Sequence, residues 1–137
     1  MANQIVLADT SILIDFFRKT DKSKSILFKL IDEGFDTCIS VIFDTCISVI
    51  TEYEIYSGAN QTQLSFWDNL LTSTQVLAFD QSAVRAAVEV NNDLKRKRKQ
   101  IDLADLFIAA TAIAHRIPIA TLNKKHFERI DNLLIVA

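Results

Sequence analysis

Apolar positions along the chain switch between two periods. Ile5-Val6-Leu7-Ala8 is a short unbroken apolar run, the pattern of a strand covered on both faces, and Asp9 ends it. Thr10-Ser11 then opens a segment with apolar residues at Ile12, Leu13, Phe16 and Phe17, which is helical spacing. Residues 25–33, with Ile26, Leu27, Leu30 and Ile31, predict a second helix ending at Gly34. Further helices are predicted over residues 51–57, 64–71, 80–94 and 102–113, and a short one over 124–130. Residues 75–79, 117–121 and 133–136 read as strands. Apolar strands alternating with amphipathic helices predict an α/β fold, a parallel sheet with helices on both faces. Ligands of such sheets gather beyond the strand C-termini, at a topological switch point. Polar residues that follow strands are therefore where chemistry is to be sought.

One segment breaks this rhythm. Residues 35–42 and 43–50 are the same octapeptide in tandem, Phe-Asp-Thr-Cys-Ile-Ser-Val-Ile. The period is far below the 20–50 residues of a solenoid. It is even, so either copy presents the same faces to a sheet. Together the copies make a 16-residue β-prone run, longer than ordinary strands. One copy is expected to pair. The second runs directly into Thr51-Glu52-Tyr53-Glu54 and takes that place. The first is left to loop out, form an edge or hairpin, or exchange with another subunit. Such repeats also invite register slips and aggregation.

Composition narrows the class. A chain of 137 residues, half of them hydrophobic, is sized for one domain over 1–137 with its own core. Two glycines and one proline exclude collagen-like and disordered readings. Cys38 and Cys46 make no disulfide framework and read as strand residues. With no basic leader and no long apolar span, the sequence reads as soluble and cytoplasmic, without a membrane partner. Net charge is −2, yet Lys95, Arg96, Lys97, Arg98 and Lys99 are consecutive, leaving 10 basic and 17 acidic groups elsewhere. An acidic body with one basic run is not a general polyanion binder. The run suits a helix C-terminus and offers one local phosphate contact.

The acids carry the candidate chemistry. Asp9 suits either a helix cap or a ligand at a strand end. Glu52 and Glu54 stand two apart and cannot share a helix face. Thr51-x-x-Glu54 fits a capping box, so at most one of the two acids belongs to a site. Asp102 and Asp105 share one face of a predicted helix, with Asp102 as its cap. Asp105 lies between Ala104 and Leu106 in apolar surroundings, and a buried carboxylate there needs a partner. Asn123, after Thr121 and Leu122, is a turn and cap residue or a neutral oxygen ligand. His115 and His126 have no metal-ligand spacing and read as structural or surface residues. Phe16, Phe17, Trp67 and Phe107 read as core. Asp9, Glu54, Asp105 and Asn123 thus fall on one rim of the sheet. Hard oxygen donors suit Mg²⁺ or Mn²⁺, which would offset the carboxylate charge and activate water for phosphoryl chemistry.

Four motifs in order resemble the PIN-domain family, specifically the VapC-type toxins of bacterial toxin–antitoxin pairs. They are Leu7-Ala8-Asp9-Thr10-Ser11; the stretch from Ile47 to Gly58 holding Thr51 and Glu54; Ile101-Asp102-Leu103-Ala104-Asp105 with the helix after it; and Ile119-Ala120-Thr121-Leu122-Asn123 with Lys124-Lys125-His126-Phe127. The resemblance implies a three-layer α/β/α domain with a central parallel sheet. It implies an endoribonuclease dependent on Mg²⁺ or Mn²⁺, commonly homodimeric and inhibited by a cognate antitoxin. The family's acids fall on Asp9, Glu54 and Asp105 as metal ligands and its fourth catalytic position on Asn123, where many members carry Asp. Thr10, Thr121 and Asp102 fall in supporting positions. The duplicated octapeptide departs from the pattern. A PIN scaffold that binds RNA or an antitoxin without cleaving is the competing reading. A receiver-type phosphoacceptor fits less well, because Asp9 lacks an adjacent acid.

Overall fold

The computed structural model describes residues 4–31 and 43–136. Four parallel strands form one sheet in the order β3-β2-β1-β4: β1 Gln4–Ala8, β2 Phe43–Ser48, β3 Gln75–Leu77 and β4 Ile119–Ala120. The second octapeptide copy supplies β2, with Gln4 opposite Phe43 and Leu7 opposite Cys46. Its last two residues already belong to the next helix. The first copy, Cys38 with it, lies outside the described residues.

Side-chain alternation in β1 splits the core into two layers. Val6 and Ala8 face α1 Thr10–Arg18, α2 Ile26–Ile31, α3 Val49–Gly58 and α4 Leu64–Thr72 through Ile12, Leu30, Ile55 and Trp67. Leu7, with Cys46 beside it, faces α5 Gln81–Lys97, α6 Leu103–Ala114 and α7 Lys124–Phe127 through Leu94, Ile108, Ala112 and Phe127. Helices thus cover both faces, the expected α/β/α arrangement. Burial of each such side chain contributes about 1.5–3 kcal/mol. Phe17 stacks on Trp67 at 5.1 Å and meets Phe66 edge-on at 5.1 Å, locking α1 to α4. Among the described residues no helix is long and apolar enough to cross a membrane.

Several expected boundaries move. A 3₁₀ turn, Lys22–Lys24, precedes α2, and the predicted end of α2 at 32–34 lies outside the described residues. Helix α3 starts at Val49 rather than Thr51, because the Ser48 hydroxyl accepts from the Ile50 N–H at 3.0 Å. That overturns the capping-box reading of Thr51 and Glu54: both sit inside the helix. Asp102 holds the N-cap position of α6, yet its side chain makes no capping hydrogen bond. Asp80 does cap α5, accepting from the Ala83 N–H at 3.0 Å. The predicted strand at 133–136 is reduced to one bridge between Ile135 and Ile119 at the sheet edge.

Candidate active site

Strand β1 has β2 on one side and β4 on the other, so the chain reverses its direction of travel across the sheet between β1 and β4. That switch point is where the strand C-termini part and leave room for a ligand. Asp9 leaves β1 there, and Thr121-Leu122-Asn123 leaves β4. A web of hydroxyls stitches the two exits together. Asp9 Oδ1 accepts from the Ser11 hydroxyl at 2.5 Å and from the Ile12 N–H at 3.3 Å, capping α1. Asp9 Oδ2 accepts from the Thr121 hydroxyl. Each hydroxyl oxygen accepts in turn: Ser11 Oγ from the Leu122 N–H across the two exits, and Thr121 Oγ1 from the Asn123 N–H within its own exit, both at 2.9 Å. Asp9 therefore caps a helix and belongs to the site at once.

Asp9 is 2% exposed and Thr121 fully buried. Burial pushes the Asp9 carboxyl above the ordinary carboxylate value. The hydrogen bonds from Ser11, Thr121 and Ile12 pull it back, and the charge of Asp105 adds to the rise. The site thus holds more negative charge than the protein alone compensates.

Thr10, Glu54, Asp105 and Asn123 line the same open cleft of about 610 Å³, together with Asp9. Glu54 reaches it from α3. Thr10 Oγ1 stands 2.6 Å from Glu54 Oε1 and 3.1 Å from the buried Thr51 Oγ1. A hydroxyl has one proton, and the acceptor-only carboxylate takes it, so Thr51 donates to Thr10. Asp105 enters from the first turn of α6 and is half-buried rather than deeply buried; its partner is His126, with Nδ1 3.0 Å from Oδ2. Asn123 lines the cleft with a side chain that makes no capping bond to α7. Glu52 and Asp102 are not among the lining residues. Asp15, Arg18 and Lys19 of α1 are, and they were not singled out from the sequence as site residues.

The basic run closes α5. Arg96 pairs with Asp93 at 2.9 Å, and Lys97 pairs with Asp93 at 2.9 Å and Asp131 at 2.7 Å. Lys95, Arg98 and Lys99 are exposed and without ion pairs among the described residues. Cys46, buried in β2, has its thiol pushed up to about 11 by burial, which leaves it unreactive.

Three carboxylates and an amide from four separate segments thus face one cleft. The donors are all hard oxygen, the set that Mg²⁺ and Mn²⁺ take. Among the described residues, no three His, Cys, Asp or Glu side chains are gathered tightly enough to cage an ion. Mg²⁺ keeps several waters and needs only one or two carboxylates, so spaced acids fit it.

Compared with known families, residues 6–133 match the model of the PIN domain. The chain belongs to the PIN domain family. Among its relatives, Ribonuclease VapC1 of Methanocaldococcus jannaschii is 32% identical over 126 residues, covering 91% of this chain and 80% of that protein. Ribonuclease VapC of Rickettsia bellii is 34% identical over 131 residues, covering 96% and 94%. The structure of VapBC2 from Rickettsia felis, bound to a DNA fragment from its promoter, superposes with a TM-score of 0.78 at 25% identity over 97% of this chain and 98% of that one. The DNA-bound VapBC of Salmonella typhimurium shares the fold, with a TM-score of 0.79 at 24% identity over 97% of both chains. This PIN domain thus has the four-strand parallel sheet and flanking helices of VapC structures.

Proposed function

We propose that this PIN domain is a divalent-metal-dependent endoribonuclease and the toxin of a toxin–antitoxin pair. The observation that carries the reading is the convergence of Asp9, Glu54, Asp105 and Asn123 on one cleft at the switch point. Its VapC-named relatives, aligned over nearly the whole chain, support the substrate class and the antitoxin partner. Asp9 and Asp105, whose charges already repel, are the residues that would hold Mg²⁺ or Mn²⁺, with Glu54 completing the acidic side. When bound, the ion supplies activation of a water and compensation of the charge that builds on the phosphate. Asp9, held by three donors, keeps a fixed position. Glu54, turned by Thr10, orients water toward the phosphodiester. Asn123, a neutral amide, donates to a phosphate oxygen without adding negative charge. Asp102 acts at most at a distance, from outside the cleft.

Lys95, Arg98 and Lys99 provide diffuse attraction for RNA. For the homodimer, we assign the exposed strip of Val84, Val88 and Leu103 on α5 and α6 as the contact. The second octapeptide copy occupies β2 and leads straight into α3, which delivers Glu54 to the cleft.

The test is cleavage of an RNA panel by the purified protein with Mg²⁺ or Mn²⁺. Cleavage that EDTA and Asp105→Asn both abolish is expected, with relief of growth arrest when the partner antitoxin is co-expressed. Cleavage that survives both treatments refutes the metal site. Binding without cleavage of any RNA replaces the nuclease by the non-cleaving scaffold.

A further inference from the structure

We propose that Arg18 is the side chain that grips an RNA backbone phosphate beside the cleaved bond. The inference rests on the nuclease reading and deepens it. One wall of the cleft is the face of α1 on which Thr10, Ile14 and Arg18 recur every four residues. It runs from the Asp9 cap to the last turn, nine residues and about 13 Å at 1.5 Å per residue. Asp9 stands at its N-terminal end and Arg18 and Lys19 at the other, with Asp15 between them.

The two cations are not equivalent. Lys19 is engaged by Asp15 at 3.6 Å, one turn back. Arg18 is exposed and has no ion pair among the described residues, although Glu54 lines the same cleft. It also borders an adjoining groove with Phe17, Ile55 and Trp67. Helical side chains lean toward the helix N-terminus, so the guanidinium is carried toward the acids rather than away from them. It stops short of the carboxylates, which places it against a phosphate next to the scissile one. A guanidinium matches a phosphodiester with two parallel N–H donors.

The backbone beneath it is held still. Lys22 Nζ donates to the carbonyls of Phe16 and Phe17 at 2.6 and 2.7 Å. The same ammonium lies 5.1 to 5.8 Å from the ring centres of Phe16, Phe17 and Phe66. This clamp fixes the backbone of the last turn of α1, so little backbone freedom is lost when Arg18 binds. In the basic run, Arg96 and Lys97 are already taken by Asp93 and Asp131.

Steady-state cleavage of a fluorogenic single-stranded RNA oligonucleotide with Mn²⁺ tests the assignment. Arg18→Gln is expected to raise KM about tenfold while kcat stays within about twofold. The slope of log KM against log salt should fall by about 0.7, the loss of one phosphate contact on a single strand. Arg18→Lys should keep the slope and recover part of the KM. Replacing Lys95, Arg98 and Lys99 together by Gln should raise KM less than Arg18→Gln alone. An unchanged KM and slope in Arg18→Gln overturns the proposal, including the case where this arginine serves a protein partner instead. So does a fall in kcat alone. If the wild type cuts nothing, the nuclease reading fails separately, and metal-free binding of the same oligonucleotide decides about Arg18. Equal affinity of wild type and Arg18→Gln then overturns it; weaker binding with the shallower salt slope upholds it.

Discussion

Thr121→Val tests the hydroxyl web at its centre. Valine matches threonine in shape, so the fully buried position keeps its packing and loses only the hydroxyl. Two interactions go: the donor to Asp9 Oδ2, and the acceptor for the Asn123 N–H at 2.9 Å. Asn123 is exposed, so water replaces the second at small cost. The first is a hydrogen bond to a charged, buried group, worth about 1.5–3 kcal/mol. A loss of about 2–3 kcal/mol at pH 7 follows. Unfolding entropy of about 2.1 cal/mol/K per residue converts this to a Tm lowered by roughly 7–10 °C. The pH dependence carries the sharper test. Burial already raises the Asp9 carboxyl, and Thr121 is one of the groups holding it down. The variant raises it further, so its deficit is full at neutral pH and shrinks as the pH falls through the Asp9 value and the carboxyl takes a proton. A neutral acceptor leaves a deficit of only about 1 kcal/mol. Urea unfolding of both proteins at pH 3.5 and pH 7 measures the two differences. A deficit below about 0.5 kcal/mol at pH 7, or an equal deficit at both pH values, would refute the claim that Thr121 stabilises an ionised Asp9.

Other consequences follow from the same geometry. Asp9→Asn should abolish cleavage, and its stability relative to wild type should be more favourable at pH 7 than at pH 3. The raised Asp9 value contributes stability present below the ordinary value of 3.8 and lost as pH rises through the folded value, as urea unfolding across that range measures. Mg²⁺ or Mn²⁺ at 100 times its Kd should stabilise the wild type by about 2.7 kcal/mol, seen as a raised Tm that EDTA reverses and Asp105→Asn lacks. Ser48→Ala should cost about 1 kcal/mol by urea unfolding, because Ser48 caps α3. Val88→Glu, at a side chain 54% exposed, should leave folding intact by circular dichroism and shift sedimentation from dimer to monomer.

Most of the architecture and the acidic rim were legible because they follow from local patterns. Asp9 and Asn123 sit just after strands and Asp105 near a helix start, positions a parallel sheet carries to one edge, while Glu54 reaches it from mid-helix in α3. What escaped depends on contacts distant in sequence. Ser48 and Thr51 are equally good caps on paper; the end of pairing with β3 at Ser48 decides between them. His126 has no ligand spacing of its own. It is three residues beyond Asn123, one helical turn, which was the available hint that it stands close enough to the site to meet Asp105. Arg96 and Lys97 have Asp93 one turn back in the sequence, but only the fold brings Asp131 to within 2.7 Å of Lys97. Asp105 looked buried because its neighbours Leu103 and Phe107 are apolar, yet Leu103 is 63% exposed and that first turn opens to solvent.

The acids of the cleft are held with unequal firmness, and this inequality bears on how the site works. Asp9 is buried and fixed through both oxygens by Ser11, Thr121 and Ile12, so moving it would break contacts on both strand exits. Glu54 has one hydroxyl donor, Thr10, and Asp105 one imidazole, His126; both acids are only partly buried. A cation entering the cleft therefore meets one rigid carboxylate and two that rotate at the cost of a single exchangeable hydrogen bond each. If the proposed ion binds, Asp9 would fix its position, and Thr10 and His126 would be the donors that Glu54 and Asp105 exchange for it.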